Sequence, residues 1–432
     1  MESRQPVGSR AIGQRTGHRR QTTGALVTAA CIVGLSSAAA APAVADENTP
    51  LQSGECKFGT DDIKETPWSL QRLLTNQMWA SGKGEGIRVG VIDTGIDAGN
   101  KQLQDAIEGP GRTYVKDGKA TQDKVGHGSK VAGIIAARQQ PTSGFYGLAP
   151  KAKVIPYQQT SDEQAGTADT LATAINAAVA DNVNIINISQ GTAASEKLLP
   201  SLEAAVKNAR DKGVLIVASA GNSGASGAEK NIYPAAFSEK YDNVLAVAAS
   251  DRNNERASFS QPGPFVGIAA PGVDMVSTVP MGGNCVDQGT SFAAPYATGA
   301  AALLVAKHLG DKDKWSPAQI ISHLEQTADR VRKGRDDNIG WGVVNPVAAL
   351  NDNTRPTGPP TPDKSNNAAG ASNILPAAVS FGETDQERRT RIGIYIVGGG
   401  LLAVGAVVGC AVALRDWRRK TGFTTHGESI HG

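Results

Sequence analysis

Cysteine is scarce in this chain of 432 residues: there are four, Cys31, Cys56, Cys285 and Cys410, and none stands at metal-ligand spacing from another cysteine or a histidine. That excludes a Cys/His zinc site. Histidine is little used as well, with six. His18 precedes the first apolar run, His308 and His323 fall in predicted helices, and His426 and His431 lie in the tail, which leaves His127 as the one in a reactive context. Acidic pairs such as Asp336-Asp337 are too sparse to read as a calcium site, so neither a metal nor a cofactor is expected. Neither sign of charge dominates. The formal balance is +2 with much of the basic excess at the termini, which leaves the middle of the chain without a nucleic-acid footprint.

What is present is a globular composition, 40% hydrophobic with 50 glycines, the mark of tight turns and closely packed helices. At the N-terminus Arg4, Arg10, Arg15, Arg19 and Arg20 precede an apolar run over residues 25–35 and then Ala43-Val44-Ala45. That order predicts a secretory signal peptide, residues 1–45, cleaved after Ala45. Residues 392–414 carry no charged side chain and are bracketed by Arg388, Arg389 and Arg391 on one side and Arg415, Arg418, Arg419 and Lys420 on the other. Such a stretch is long enough to cross a bilayer. Together the two predict a single-pass protein of the cell membrane, with its body extracytoplasmic and residues 415–432 a cytoplasmic tail. Only Cys56 and Cys285 then lie in an oxidising compartment, and they are expected to pair.

Between these ends, residues 46–82 read as an extension packed on the body, and residues 352–391, rich in Pro, Thr, Asn, Ala and Gly, as a flexible stalk. The body, 83–351, alternates. Strands are predicted over 87–92, 152–156, 183–189, 214–218, 244–248 and 265–269, and helices over 130–140, 169–181, 197–212 and 315–330, the last capped by Ser316 with Pro317 at its first position. Alternation of this kind means an α/β fold, a mostly parallel sheet with helices on both faces.

The chemistry gathers at three glycine-flanked places. Gly289-Thr290-Ser291-Phe292-Ala293-Ala294-Pro295 sets Ser291 at the mouth of an apolar helix, where unpaired N–H groups and the helix dipole favour developing negative charge. Serine needs a base and an orienting carboxylate to attack. His127, in Gly126-His127-Gly128-Ser129, stands at another helix mouth, and Asp93 ends the first strand at the sheet edge where active groups collect. Asn222, in Ser219-Ala220-Gly221-Asn222 just past a strand, is the expected side-chain oxyanion donor, with the Ser291 N–H as its partner. The second glycine of a G-x-S-x-G elbow is missing after Ser291, which argues against an α/β-hydrolase.

The order Asp93, His127, Ser291 and the four blocks around Asp93, His127, Asn222 and Ser291 resemble the subtilisin-like (S8) serine proteases. The resemblance implies a subtilisin-like fold and a serine endopeptidase. It also places Ser189-Gln190-Gly191 where the family pairs with substrate backbone, with Gln190 departing from the usual leucine and Ser129 from the usual threonine. Signal peptide, cysteine-bearing extension, stalk and single span are similar to the mycosins, membrane-anchored subtilases of type VII secretion. That similarity implies protein or peptide substrates exported across the membrane, and contact with the type VII secretion membrane complex. A structural assembly factor of that complex and a generic surface subtilase are the alternatives.

Overall fold

Strand β1 (Arg88–Asp93) is buried along almost its whole length and lies inside the sheet, third of its seven strands. The computed structural model describes residues 56–421, apart from 163, 227–230, 312–313 and 364–384. The predicted signal peptide lies outside the described residues, as do 46–55 of the extension, 364–384 of the stalk and 422–432 of the tail.

Strands β2 (Arg112–Thr113), β3 (Lys153–Gln158), β4 (Ile185–Ile188), β5 (Leu215–Ser219), β6 (Val244–Ser250) and β7 (Ile268–Pro271) join β1 in the order β2-β3-β1-β4-β5-β6-β7. Every pairing is parallel, so the expected sheet is present. Residues alternate between its two faces, as the pleat requires. Val89, Val91, Leu215, Val217, Leu245 and Val247 meet helices α3 (His127–Ala136) and α6 (Thr290–Lys307). Ile92, Ile186, Ile188, Ile216, Ala246 and Ala248 meet α4 (Ala168–Ala180) and α5 (Pro200–Asp211). Because both faces are covered, the strands are continuous apolar runs. Helix α6 is buried on nearly every side down to Leu304, which explains its small residues: a Cβ added at Gly299 would stand 2.7 Å from Leu148 Cβ.

The short helices α1 (Trp68–Gln71) and α2 (Thr75–Met78) form within the extension, and α7 (Pro317–Gln326) and α8 (Pro346–Asn351) follow α6. Helix α7 begins as its sequence predicts, Ser316 and Gln319 forming a capping box ahead of Pro317. Several boundaries differ from expectation, including the starts of three elements. Helix α3 begins at His127 itself; α5 begins only at Pro200, after a 3-10 turn over Glu196–Leu198, since proline is suited to a helix start; and β7 begins three residues later than the predicted strand. An antiparallel hairpin of β8 (Met275–Thr278) and β9 (Asn284–Asp287), unforeseen in the sequence, leads directly to the serine helix.

The predicted span falls within α9 (Asp385–Thr421), a helix of 37 residues. Side chains of Ile396, Leu401 and Leu402 in that stretch lie outside the described residues. Among the described residues no helix is long and apolar enough to cross a membrane.

Candidate active site

From β1 the chain crosses first to β2 and β3 on one side and later to β4 on the other. Open parallel sheets form a crevice at the carboxyl edge of such a switch point. Asp93 ends β1, Ser189 follows β4, and Ser219-Ala220-Gly221-Asn222 leaves β5, so three predicted segments arrive at one edge because of the strand order.

Around His127 the hydrogen bonds converge on one oxygen of Asp93, whose buried Oδ2 has no hydrogen-bond partner among the described residues. Asp93, completely buried, accepts from the Thr94 N–H at 2.8 Å, and its Oδ1 lies 2.7 Å from His127 Nδ1. His127 opens α3 after Gly126, whose φ of 83° suits glycine. The next residue must also lack a side chain, for a Cβ on Gly128 would meet the Gly95 carbonyl at 2.1 Å. Burial of the imidazole works to lower its pKa, but the charge and hydrogen bond of Asp93 raise it above the ordinary value, with Lys130 opposing to a smaller degree and Asp123 adding the least. The side chain is still a quarter exposed, within reach of a substrate.

Asp123, which sequence reading missed, holds this half together. Its Oδ1 accepts from Thr94 Oγ1 at 2.8 Å and from the N–H groups of Val125 (3.1 Å) and Gly126 (2.7 Å). Its Oδ2 accepts from the N–H and the hydroxyl of Ser129, each at 2.8 Å. Burial pushes its pKa up, and these bonds pull the other way. Ser129 Oγ also accepts from the Asp97 N–H at 2.9 Å, so the hydroxyl that it shares with the usual threonine is in use.

On the nucleophile side, Ser291 is the second residue of α6 and its N–H has no acceptor within the helix. Its hydroxyl donates to the Ser189 carbonyl at 3.0 Å and not to His127, whose ring stands 5.5 Å from that of Phe292. Asn222 is exposed but oriented: Oδ1 accepts from both the N–H and the hydroxyl of buried Thr290, each at 2.9 Å, and the same hydroxyl accepts from the Gly221 N–H at 3.1 Å. That arrangement leaves Nδ2 as the outward donor. A Cβ built on Gly289, whose φ is 151°, would sit 3.4 Å from Asn222 Nδ2 and 3.6 Å from the Ser291 nitrogen. The two donors therefore border one small space, which stays open because residue 289 is glycine.

Ser189-Gln190-Gly191 passes beside Ser291. Gln190 Oε1 accepts from Gln159 Nε2, and Gln159 in turn accepts from Thr170 Oγ1 at 3.2 Å, so this wall is polar and fixed. Cys56 and Cys285 are both disulfide-bonded, whereas Cys410 is a free thiol. Among the described residues no group of three His, Cys, Asp or Glu could hold a metal ion.

Comparison with known proteins identifies the class: residues 84–342 match the subtilase family of S8 peptidases, and the chain belongs to it as a serine endopeptidase. It is 38% identical to subtilisin BL of Lederbergia lenta over 66% of this chain and 99% of that protein. Among solved structures it is similar to mycosin-type proteases. The MycP3 protease from the type VII (ESX-3) secretion system aligns with a TM-score of 0.60 at 30% identity, covering 70% of this chain and 94% of that one. MycP1 from Mycobacterium smegmatis aligns with a TM-score of 0.60 at 28% identity, covering 72% and 93%.

Proposed function

We propose that the chain is a membrane-anchored, extracytoplasmic endopeptidase in which Asp93, His127 and Ser291 form the catalytic triad and Asn222 the oxyanion donor, acting on proteins exported by a type VII secretion system. The observation that carries the triad is the 2.7 Å contact of His127 Nδ1 with buried Asp93, facing a helix mouth where Ser291 and an oriented Asn222 adjoin. In this reading Ser291 Oγ leaves the Ser189 carbonyl, gives its proton to His127 and bonds to the peptide carbonyl carbon. The carbonyl oxygen takes the electron pair and is held by Asn222 Nδ2 and the Ser291 N–H. His127 then returns the proton to the departing amine, and water repeats the sequence to free Ser291. Asp93 keeps the imidazole in the tautomer this requires. Ser189-Gln190-Gly191 is the segment that pairs with substrate backbone.

Likeness to proteases of type VII secretion systems supports the substrate class. The basic, apolar and Ala43-Val44-Ala45 order at one end and the uncharged residues 392–414 at the other support export and a single span. The test is labelling of the full chain by a fluorophosphonate, whose phosphorus Ser291 attacks with loss of fluoride, beside a Ser291→Ala chain. Labelling of the first and not the second is expected. Equal labelling, or none while both are folded, would remove the triad.

A further inference from the structure

Lys130 lies one turn along α3 from His127, and its side chain is only 9% exposed. Lysine is seldom covered to this degree without a partner. Its ammonium is 2.6 Å from Oδ2 of Asp287, the last residue of β9 on the chain just ahead of Gly289-Thr290-Ser291. The same ammonium stands 5.7 Å from the centre of the Phe292 ring, which in turn lies beside the His127 ring. The other strand of the hairpin is fastened to the same turn of helix: Ser277 Oγ donates to the Lys130 carbonyl at 2.6 Å, and Thr278 Oγ1 to the Ser129 carbonyl at 2.8 Å. The base helix and the nucleophile loop come from distant parts of the chain. They meet through these side chains.

We infer that the Lys130–Asp287 ion pair is a strut between the base helix and the nucleophile loop, which makes Lys130 and Asp287 positioning residues for His127 and Ser291. The inference rests on the reading of Asp93, His127 and Ser291 as the triad. In the structure the Ser291 hydroxyl rests on Ser189, so catalysis requires it to turn and find His127 at hydrogen-bonding distance. An error of about 1 Å in that separation costs on the order of a hundredfold in rate. The pair also has an electrical consequence. The charged groups acting on His127 are Asp93 from β1, Asp123 from the loop before α3 and Lys130 from α3, with Asp287 of β9 neutralising Lys130.

The test compares the full chain with Lys130→Met, Asp287→Asn and the double variant, following peptide hydrolysis from about pH 5 to 9 with active sites counted by the fluorophosphonate. Without the strut, the double variant should lose about tenfold in kcat with KM little changed and its acid limb near that of the wild type. Lys130→Met removes a cation and should move the acid limb of kcat/KM upward; Asp287→Asn exposes that cation and should move it downward, each by on the order of half a pH unit. A merely structural role would not separate the two in sign. The inference fails if the double variant keeps kcat within about twofold, or if both single variants move the limb in the same direction. A wild-type chain without Ser291-dependent turnover would instead remove the triad reading, and the inference with it.

Discussion

The mouths of α3 and α6 are built alike and filled differently. Each opens after a glycine of positive φ, Gly126 at 83° and Gly289 at 151°, and neither N-cap residue offers a capping side chain. At α3 the protein supplies its own anion, the Asp123 carboxylate, which occupies the Gly126 and Ser129 N–H groups. At α6 the Thr290 N–H is spent on orienting Asn222, while the space beside the Ser291 N–H is left open. In the proposed reaction one helix terminus, already satisfied, would hold the base in place, and the other would be kept for a charge that exists only during the reaction.

The largest effect should come from filling or stripping the open mouth. Asn222→Ala should lower kcat about 10²–10³-fold, roughly 3 kcal/mol in the transition state, with KM nearly unchanged and only about 1 kcal/mol of folding stability lost, from the Thr290 donors that lose their acceptor beside exposed Asn222. Steady-state kinetics and a thermal melt on one preparation check both halves. An equal loss in stability would mean that the α6 mouth, like that of α3, is structural.

The closed mouth should respond in the opposite sense. Asp123→Asn places an amide N–H against donors that now face a carboxylate, and should cost about 2 kcal/mol of folding stability by denaturant melts. It also removes one of the anions that raise the His127 pKa. In the wild type the acid limb of kcat/KM should lie above about 6.5, the ordinary histidine value, and in Asp123→Asn it should fall. A limb that stays in place would show that Asp123 is linked to His127 through structure alone.

Much of this was legible in the sequence because glycine-rich turns at strand ends and helix starts are local signals. Asp93, the His127 block, Asn222 and the Ser291 block are each contained in a few consecutive residues, and the alternating strands and helices foretold the parallel sheet. Asp123, Lys130 and Asp287 carry no such signature. Asp123 acquires its role only when the fold brings Thr94 to the start of α3, and Asp287 only when the β8–β9 hairpin lies against that helix. The hairpin itself was obscured because its short strands flank Met281-Gly282-Gly283, a run that reads simply as loop. The resting place of the Ser291 hydroxyl, on Ser189, is a matter of side-chain rotation that no motif encodes.

Thr290 gives the subtlest expectation. It was visible only as a spacer before the serine, yet it is fully buried and directs two donors, its N–H and its hydroxyl, at Asn222 Oδ1. Thr290→Val keeps the shape and the N–H and removes the hydroxyl, so Asn222 retains one of its two anchors and the Gly221 N–H loses its acceptor. The amide should then sample orientations that turn Nδ2 from the oxyanion position. A tenfold loss in kcat, about 1.4 kcal/mol, with KM unchanged is expected. Combined with Asn222→Ala, the threonine change should add almost nothing, because residues acting through one group are not additive. Full additivity in that double variant would mean that Thr290 contributes to the open mouth by a route other than orienting Asn222.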